Sequence, residues 1–254
     1  MSTSLVTGAT AGIGHEFARQ LASRGDDLVL VARDTARLEE VAADLRSTYG
    51  VQVEVLPADL TDPAQLATVE ARLADRAHPV DLLVNNAGFG LKQGFLDNDI
   101  ETEQRQQDVL VRAVLRLSHA ALGGMVERER GGVINVSSVA AFLPRGTYSA
   151  AKAWVNSFSA WAHNEYADRG VNVMALCPGF VRTEFHERLG VADRDSTAPK
   201  MLWLEADRLV HDALADFDHG KSVSIPSKRY RAIVTATRVV PGGMLQRFQS
   251  MGRK

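Results

Sequence analysis

Two residues with complementary chemistry stand four positions apart in the stretch GTYSAAKAW, residues 146–154. They are the phenol of Tyr148 and the ammonium of Lys152, and a helix would place both on one face. The phenol could then exchange a proton with a substrate oxygen, and the cation could adjust its pKa. Tyr-x-x-x-Lys also arises often by chance, so the rest of the chain must decide between this chemistry and an ordinary helix.

A glycine-rich turn follows the first apolar run of the chain. It reads TGATAGIG, from Thr7 to Gly14, and it opens a helix-like segment. Glycine lets the backbone turn tightly and approach a pyrophosphate, to which a helix N-terminus offers N–H groups and partial positive charge. The turn therefore predicts dinucleotide binding rather than a purely structural role. Its three residues between Gly8 and Gly12 depart from the commoner G-x-G-x-x-G.

Short apolar or β-branched runs alternate with longer amphipathic segments. The strand-like runs are residues 5–7, 27–32, 51–57, 81–86, 132–138, 171–178 and 222–226. The helix-like segments lie near residues 12–24, 35–48, 63–75, 101–128, 149–167 and 205–217. Asp34 before a helix, and Gly25 and Gly170 after helices, support these boundaries. The alternation predicts an α/β fold: a single doubly wound domain over residues 1–254, with a parallel sheet covered on both faces.

The composition is that of an ordinary globular protein, with 45% hydrophobic and 24% charged residues. Cys177 is the only cysteine, which excludes an intramolecular disulfide and a cysteine-rich metal site and suits a reducing compartment. The seven histidines show no metal-ligand spacing, so we expect no metal. The first apolar run begins within a few residues of Met1, and no run of about 18 apolar residues occurs. We expect a cytoplasmic chain that does not span a membrane.

Charge is distributed unevenly along the chain, although the formal net charge is only −2. Residues 228–254 hold seven Lys or Arg and no acid, so the remainder carries 22 basic residues against 31 acidic ones. We expect this basic C-terminal extension to pack on its own domain or on a sister subunit. Contact with an anionic ligand or with a membrane surface is the alternative.

Six motifs occur in the order typical of the short-chain dehydrogenase/reductase family, which the chain resembles from Leu5 to about Thr183. They are Thr7 to Gly14, Asp59-Leu60, NNAG at Asn85 to Gly88, the serine-bearing strand end at Ser138, Tyr148 with Lys152, and PGFVRT at Pro178 to Thr183. No single motif is decisive, but the ordered set is. The resemblance implies a Rossmann fold and favours the catalytic interpretation of the tyrosine and lysine.

The resemblance assigns catalytic roles to three residues. Tyr148 would exchange a proton with the substrate oxygen while hydride passes to or from a nicotinamide, and Ser138 would hydrogen-bond that oxygen. Lys152 and the cationic nicotinamide should lower the phenol's pKa from its usual value near ~10. In the family this lysine also binds the nicotinamide ribose. Ser137 is the alternative assignment for the serine, and capping a turn is the alternative role.

Cofactor choice depends on VARD, at the end of the second strand. Family members that use NAD place an acid there, whereas this chain has Ala32 followed by Arg33, whose guanidinium can pair with a 2′-phosphate. We therefore predict NADP rather than NAD. In the family Asn85 mainly stabilises the sheet. Besides Tyr148 and Lys152, the predicted cofactor-binding residues are Gly8, Thr10, Ala11, Gly12, Ile13, Gly14, Arg33, Asp59, Leu60, Asn86, Ala87, Gly88, Pro178, Gly179, Val181 and Thr183.

The resemblance implies an oxidoreductase that interconverts a ketone or aldehyde and an alcohol, with no nucleic-acid partner. We expect residues 89–100, the loop Leu143 to Thr147 and a flap at residues 186–204 to line the substrate pocket. The apolar side chains of these segments and their surroundings favour a hydrophobic or acyl-type substrate; they are Phe89, Phe95, Leu96 and Phe142.

An aromatic stripe continues along the segment that carries the tyrosine. Trp154, Phe158 and Trp161 recur at helical spacing, which is more typical of a core or a subunit interface than of a cofactor site. In the family this helix commonly packs against its counterpart in a second subunit. The resemblance therefore implies a homodimer or homotetramer.

The stretch DVLVRAVL, residues 108–115, departs from the family pattern. Related enzymes usually have asparagine where Leu110 stands, and it helps to hold a water that links the catalytic lysine to solvent. Leucine can neither donate nor accept a hydrogen bond. Either a backbone carbonyl or another water suffices, or proton exchange is slow and the chain is an NADP-binding sensor or interaction protein with impaired turnover. The spacing of ten residues from Ser138 to Tyr148 is also shorter than usual.

Overall fold

The computed structural model describes residues 2–183 and 199–239, and its main feature is a seven-stranded parallel sheet. In chain order the strands are β1 (Thr3–Thr7), β2 (Asp27–Ala32), β3 (Val53–Pro57), β4 (Leu82–Asn85), β5 (Gly131–Val136), β6 (Val171–Leu176), β7 (Phe180–Val181), β8 (Trp203–Leu204) and β9 (Val223–Ser224). The central sheet has the order β3-β2-β1-β4-β5-β6-β9, and β7 pairs with β8 separately. The predicted doubly wound α/β class is confirmed.

Helices connect the strands. They are α1 (Gly12–Ser23), α2 (Thr35–Tyr49), α3 (Pro63–Ala74), α4 (Ile100–Gln107), α5 (Val114–Glu127), α6 (Thr147–Tyr166), α7 (Ala206–Asp218) and α8 (Lys228–Val239). A π-helical turn, Asp108–Ala113, joins α4 to α5, and a 3₁₀ turn, Val139–Phe142, precedes α6. Asp34 begins α2 by accepting the Arg37 N–H, as its capping role predicted.

The sheet separates two apolar layers, because alternate residues of each strand point to opposite faces. On one face Val6, Leu28 and Leu30 pack with α1, α2 and α7. On the other face Leu5 and Val29 pack with α3, α5 and α6. Covering both faces explains why the strands are continuous apolar runs rather than alternating ones.

The strand order reverses between β1 and β4. The chain builds outward from β1 through β2 to β3, then crosses to β4 on the other side of β1. Crevices at such a switch point, beyond the carboxyl ends of the strands, are where doubly wound sheets bind ligands. The glycine turn follows β1 and the NNAG motif follows β4, so the topology brings both to this crevice.

The helical run from Ile100 to Glu127 is 28 residues long and, by length and composition, could cross a membrane. More than half of its most apolar window is buried inside the protein. Packing against α3, α6 and the sheet therefore accounts for its apolar character, as for other buried core helices.

Part of two predicted segments can be described. The last residues of the expected flap form a 3₁₀ turn (Lys200–Leu202) and β8. The basic extension begins with α8. Residues 186–198 of the flap and 240–254 of the extension lie outside the described residues.

Candidate active site

The glycine turn joins the carboxyl end of β1 to the start of α1. The Gly8 N–H donates to Val31 O at 2.7 Å, which holds the turn beside the end of β2. A Cβ on Gly14 would lie 2.2 Å from Gly8 O, and Gly8 itself has a φ of +67°, so both positions require glycine. Ala11, the N-cap of α1, makes no side-chain cap, so it leaves the first N–H groups of the helix to an external acceptor.

The NNAG motif supports this turn from β4. Thr7 Oγ1 accepts hydrogen bonds from the backbone N–H groups of Asn86 and Ala87, each at 3.0 Å, and Asn86 Nδ2 donates to Thr7 O at 2.9 Å. Asn85 instead points into the protein, where its amide donates to Asn135 Oδ1 at 2.9 Å. Its contact is between strands, in accord with the sheet-stabilising role that the resemblance implied.

The PGFVRT motif faces the glycine turn from β6. A Cβ on Gly12 would lie 3.0 Å from Thr183 Cβ, so the two motifs approach each other across the crevice. The position of Pro178 is fixed by its carbonyl, which accepts the Val139 N–H at 2.9 Å. Val181 is buried and pairs with Leu204, which anchors the motif in the small sheet.

Two arginines lie near the end of β2. Arg33 is exposed, immediately after the strand. Arg37, on the first turn of α2, donates from Nε to Thr10 O at 3.0 Å, so a second guanidinium touches the glycine turn. Sequence reasoning missed Arg37, whose only signal was its position one helical turn beyond Arg33. Asp59 accepts from both the N–H and the hydroxyl of Thr61, which holds its carboxylate in the loop after β3.

The serine and the tyrosine meet at the carboxyl end of β5. Ser138 forms a side-chain hydrogen bond with Tyr148 and also accepts the Ala140 N–H at 3.1 Å. The capping alternative for this serine is therefore also realised. Ser137 is buried and donates to Lys152 O at 3.0 Å. The geometry thus favours Ser138 over Ser137 as the partner of the phenol.

Lys152 is buried behind the tyrosine. Its Nζ donates to Val136 O at 2.6 Å and lies 5.7 Å from the centroid of the Tyr148 ring. Burial lowers the pKa of Lys152 to about 8. A Cβ on Gly88 would lie 3.9 Å from this Nζ, so the lysine lies beside the NNAG motif.

The pKa of the phenol is raised in the protein alone, whereas the sequence-based expectation is a lowering by Lys152 and a cationic nicotinamide together. Burial raises the pKa of Tyr148 to about 12, and the hydrogen bond with Ser138 opposes that rise. Burial is the larger of these two influences, and the Lys152 ammonium donates its hydrogen bond to Val136 O. With protein groups alone, the tyrosine is a protonated phenol at neutral pH.

Leu110 lies in the π-helical turn, and its side chain packs near Gly88 and Lys152. It is fully buried, and its Cδ2 lies 2.9 Å from the point a Cβ on Gly88 would occupy. That point is also close to the Lys152 ammonium, so a methyl group lies where the resemblance implies an amide. π-Helical turns are frequent at functional sites, where they reorient one side chain within a long helix.

Two of the residues expected to line the substrate pocket are exposed. Leu96 is 91% exposed and Phe95 is 55% exposed. Phe95 lines an apolar groove between α4 and α6 together with Ile100 and Trp154. Phe89 and Phe142 are half-buried, on the segments that follow β4 and β5. In the part of the chain that the structure describes, no cluster of acidic, histidine or cysteine side chains is arranged to hold a metal.

Tyr230 of α8 was not recognised from the sequence. It is buried, its hydroxyl accepts the Phe180 N–H at 3.0 Å and donates to Leu202 O at 2.8 Å, and its ring occupies the space beside Gly179. One side chain therefore connects the PGFVRT motif, the 3₁₀ turn before β8 and the basic helix. A tyrosine in a basic segment carries no local signal of such long-range contacts.

Comparison with known proteins agrees with this geometry. A family model described as short chain dehydrogenase matches residues 2–193. A short-chain dehydrogenase from Sphingobium yanoikuyae, solved in complex with NADPH, is 38% identical, covers 97% of this chain and 96% of its own, and superposes with a TM-score of 0.85.

Two curated relatives are similar over 71% of this chain. One, 33% identical, is the very-long-chain 3-oxoacyl-CoA reductase of Anas platyrhynchos, and this chain spans 60% of its length. The other, 34% identical, is the inactive hydroxysteroid dehydrogenase-like protein 1 of Homo sapiens, of which this chain spans 56%.

Proposed function

The chain belongs to the short-chain dehydrogenase family of oxidoreductases, and from that premise we propose that it reduces hydrophobic ketones or aldehydes with NADPH. The observation that carries the proposal is the meeting of Ser138, Tyr148 and Lys152 beside the glycine turn and the NNAG motif. Proton donor, hydrogen-bond partner and cation lie together at the crevice where a doubly wound sheet binds its ligand.

The residues around the crevice fit a dinucleotide. The glycine positions admit no Cβ, and the start of α1 offers backbone N–H groups to a pyrophosphate. Arg33 and Arg37 supply two guanidinium groups at the end of β2, where a 2′-phosphate would add negative charge. This charge supports NADP over NAD, and the NADPH complex of the Sphingobium relative agrees with that choice.

The proposed chemistry divides between the cofactor and the chain. When bound, the dinucleotide supplies the hydride. Tyr148 donates its proton to the carbonyl oxygen as that oxygen gains charge, and Ser138 hydrogen-bonds the same oxygen. Lys152 then helps to stabilise the phenolate that remains, because its ammonium lies behind the ring.

In the protein alone, the tyrosine holds the proton that the proposed reduction needs. A phenol whose pKa is about 12 carries the proton that reduction consumes, whereas oxidation requires the phenolate as a base. The ring of the reduced cofactor is neutral and would add no charge that lowers this pKa. A cationic oxidised ring would lower it.

The substrate class is proposed from two observations. Phe89 and Phe142 are apolar residues on the segments after β4 and β5, where the catalytic groups lie. The duck relative is named a very-long-chain 3-oxoacyl-CoA reductase. Both favour a hydrophobic or acyl-type ketone.

A second candidate function rests on Leu110. Its buried methyl group lies near Lys152 at the place where the family has a hydrogen-bonding amide. In this alternative the chain binds NADP, turns over slowly and acts as a sensor or interaction protein. The similar human protein that is named inactive is consistent with it.

A homodimer or homotetramer is part of the proposal. Trp161 is 52% exposed, and it continues a ring stack in which Trp154 and Phe158 lie 5.1 Å apart on α6. With Phe95 and Ile100 these residues give the α4 and α6 face an apolar surface that a second copy would cover. Trp161→Glu should shift sedimentation equilibrium toward the monomer, and an unchanged mass would place the interface elsewhere.

The experiment is a panel of ketones and aldehydes with NADPH or NADH, followed by the loss of nicotinamide absorbance. We expect oxidation of NADPH with apolar ketones, and a clear preference over NADH. NADPH binding without turnover across the panel and across pH would favour the second candidate. Absence of binding to either dinucleotide would contradict both.

A further inference from the structure

A buried carboxylate lies on α4, next to the start of the helix that carries Tyr148. Glu103 is only 5% exposed, and both of its oxygens accept hydrogen bonds. Oε1 accepts from Asn98 Nδ2 at 2.8 Å, and Oε2 accepts from Thr147 Oγ1 at 2.7 Å. A carboxylate held by neutral donors in the first turn of a helix is also favoured by the helix dipole.

Thr147 is the first residue of α6 and immediately precedes the tyrosine. The preceding residue, Gly146, has a φ of +89° and no side chain with which to cap the helix. Residues elsewhere on α4 add to the Glu103 bond: Gln106 Oε1 lies 3.4 Å from the same hydroxyl, and Gln107 Nε2 lies 3.5 Å from Thr147 O. The start of α6 is thus held by α4 rather than by its own cap.

The same face of α4 holds the segment that follows NNAG. Gln106 Nε2 donates to Phe89 O at 3.2 Å near the beginning of that segment, and Glu103 bonds Asn98 near its end. Asn98 directly precedes Asp99, the N-cap of α4. The same polar face of α4 therefore holds the expected pocket wall at Phe89 and at Asn98, and it holds the start of α6 at Thr147.

We propose that Glu103 is a positioning residue that fixes Tyr148 against the pocket wall by holding Thr147 and Asn98 together. The inference rests on the proposed function for its catalytic consequence, but the contacts themselves are independent of it. Proton transfer from a phenol depends on its distance and direction to the substrate oxygen, so a small displacement of the helix start lowers the rate steeply. The Glu103 contacts act from the α4 side, opposite the bonds by which Ser137 and Val136 hold Lys152 at the end of β5.

The test is a double-mutant cycle of Glu103→Leu and Thr147→Val, with Thr147→Ser as the rescue variant. Ser4→Ala is the matched control, because Ser4 also donates from a buried hydroxyl to a carboxylate at 2.7 Å, but at the amino end of β1. Each single variant should lower kcat about tenfold, within the range expected for small misplacements, and leave NADPH affinity unchanged. In the double variant kcat should fall about tenfold rather than a hundredfold, because both changes break the same contact between Glu103 and Thr147.

Thr147→Ser should restore most of the rate, and Glu103→Leu should in addition raise KM for the ketone. Amide hydrogen exchange over residues 146–151 should quicken in Thr147→Val and not in Ser4→Ala. If the wild-type protein reduces no ketone, the proposed function fails, and the exchange rates alone decide whether Glu103 holds the helix. Rates and exchange equal to those of the Ser4 control, in a folded Thr147→Val protein, would overturn the proposal.

Discussion

Lys152→Met should make the protein more stable in the absence of cofactor, although it removes a residue that the proposed chemistry needs. Lys152 is 4% exposed, and burial lowers its pKa from the usual 10.5 to about 8. Since one pKa unit corresponds to about 1.4 kcal/mol, burying the charged form costs about 3 kcal/mol. Methionine has a similar length and no charge to desolvate.

The gain is reduced by one lost hydrogen bond. Lys152 Nζ donates to Val136 O, and the loss of such a bond costs about 1 kcal/mol. The net expectation at pH 7 is an increase of about 2 kcal/mol in the free energy of unfolding. For a chain of this size that raises Tm by roughly 6 °C.

The effect should depend on pH with a defined sign. Because the folded pKa is the lower one, the unfolded chain binds more protons between pH 8 and 10.5. The destabilisation of the wild-type protein by the buried ammonium is complete below pH 8. Between pH 8 and 10.5 the stability of the wild type rises relative to that of Lys152→Met. By about pH 10.5 the methionine variant should no longer be the more stable protein. The wild type should then have the larger free energy of unfolding, by the roughly 1 kcal/mol that its hydrogen bond contributes.

Urea unfolding at pH 7 and near pH 10.5 measures both quantities, with Lys92→Met as the control for an exposed lysine. The Lys92 variant should match the wild type at each pH. A Lys152→Met protein that is no more stable than the wild type at pH 7, with a difference independent of pH, would show that the ammonium is not desolvated.

Three further predictions address the cofactor and its surroundings. Arg33→Asp should shift preference from NADP toward NAD, because it replaces a phosphate partner with a ribose acceptor; fluorescence titrations that show unchanged relative affinities would remove Arg33 from the site. Leu110→Asn should not raise turnover, and it should lower the free energy of unfolding by about 1–3 kcal/mol, because it places an amide in a fully buried position. A rise in turnover at constant NADPH affinity would favour the second candidate function. Tyr230→Phe should lower the free energy of unfolding by about 1–3 kcal/mol, because it leaves the Phe180 N–H and Leu202 O short of a partner; an unchanged value in urea titrations would mean that water replaces the hydroxyl.

The sheet could be predicted from the sequence because its strands are local signals. Runs such as LVLVA, which follows Asp27 in β2, are continuously apolar. The helix α2 begins and ends at residues with clear capping chemistry, Asp34 and Gly50. The strands β7 and β8, each two residues long, were missed. Their pairing depends on contacts between distant parts of the chain, such as the 5.4 Å between the Phe180 and Trp203 rings.

The site could be predicted in its residue types but not in its electrostatics. The order of the motifs indicated Ser138, Tyr148 and Lys152, and their meeting follows from the topology. The lowering of the tyrosine's pKa by Lys152 and a cationic nicotinamide stays a prediction. The rise in the protein alone was not foreseen, because the sequence does not reveal how deeply the phenol is buried. Glu103 and Tyr230 were not found, since their partners lie far away in the sequence.

The central claim, that Tyr148 delivers the proton in an NADPH-dependent reduction, is tested most directly by Tyr148→Phe. This substitution removes only the hydroxyl, so NADPH should bind with nearly unchanged affinity while single-turnover reduction of a competent ketone slows by at least ~100-fold. Retained turnover in a protein that still binds NADPH would show that another group supplies the proton and would contradict the account.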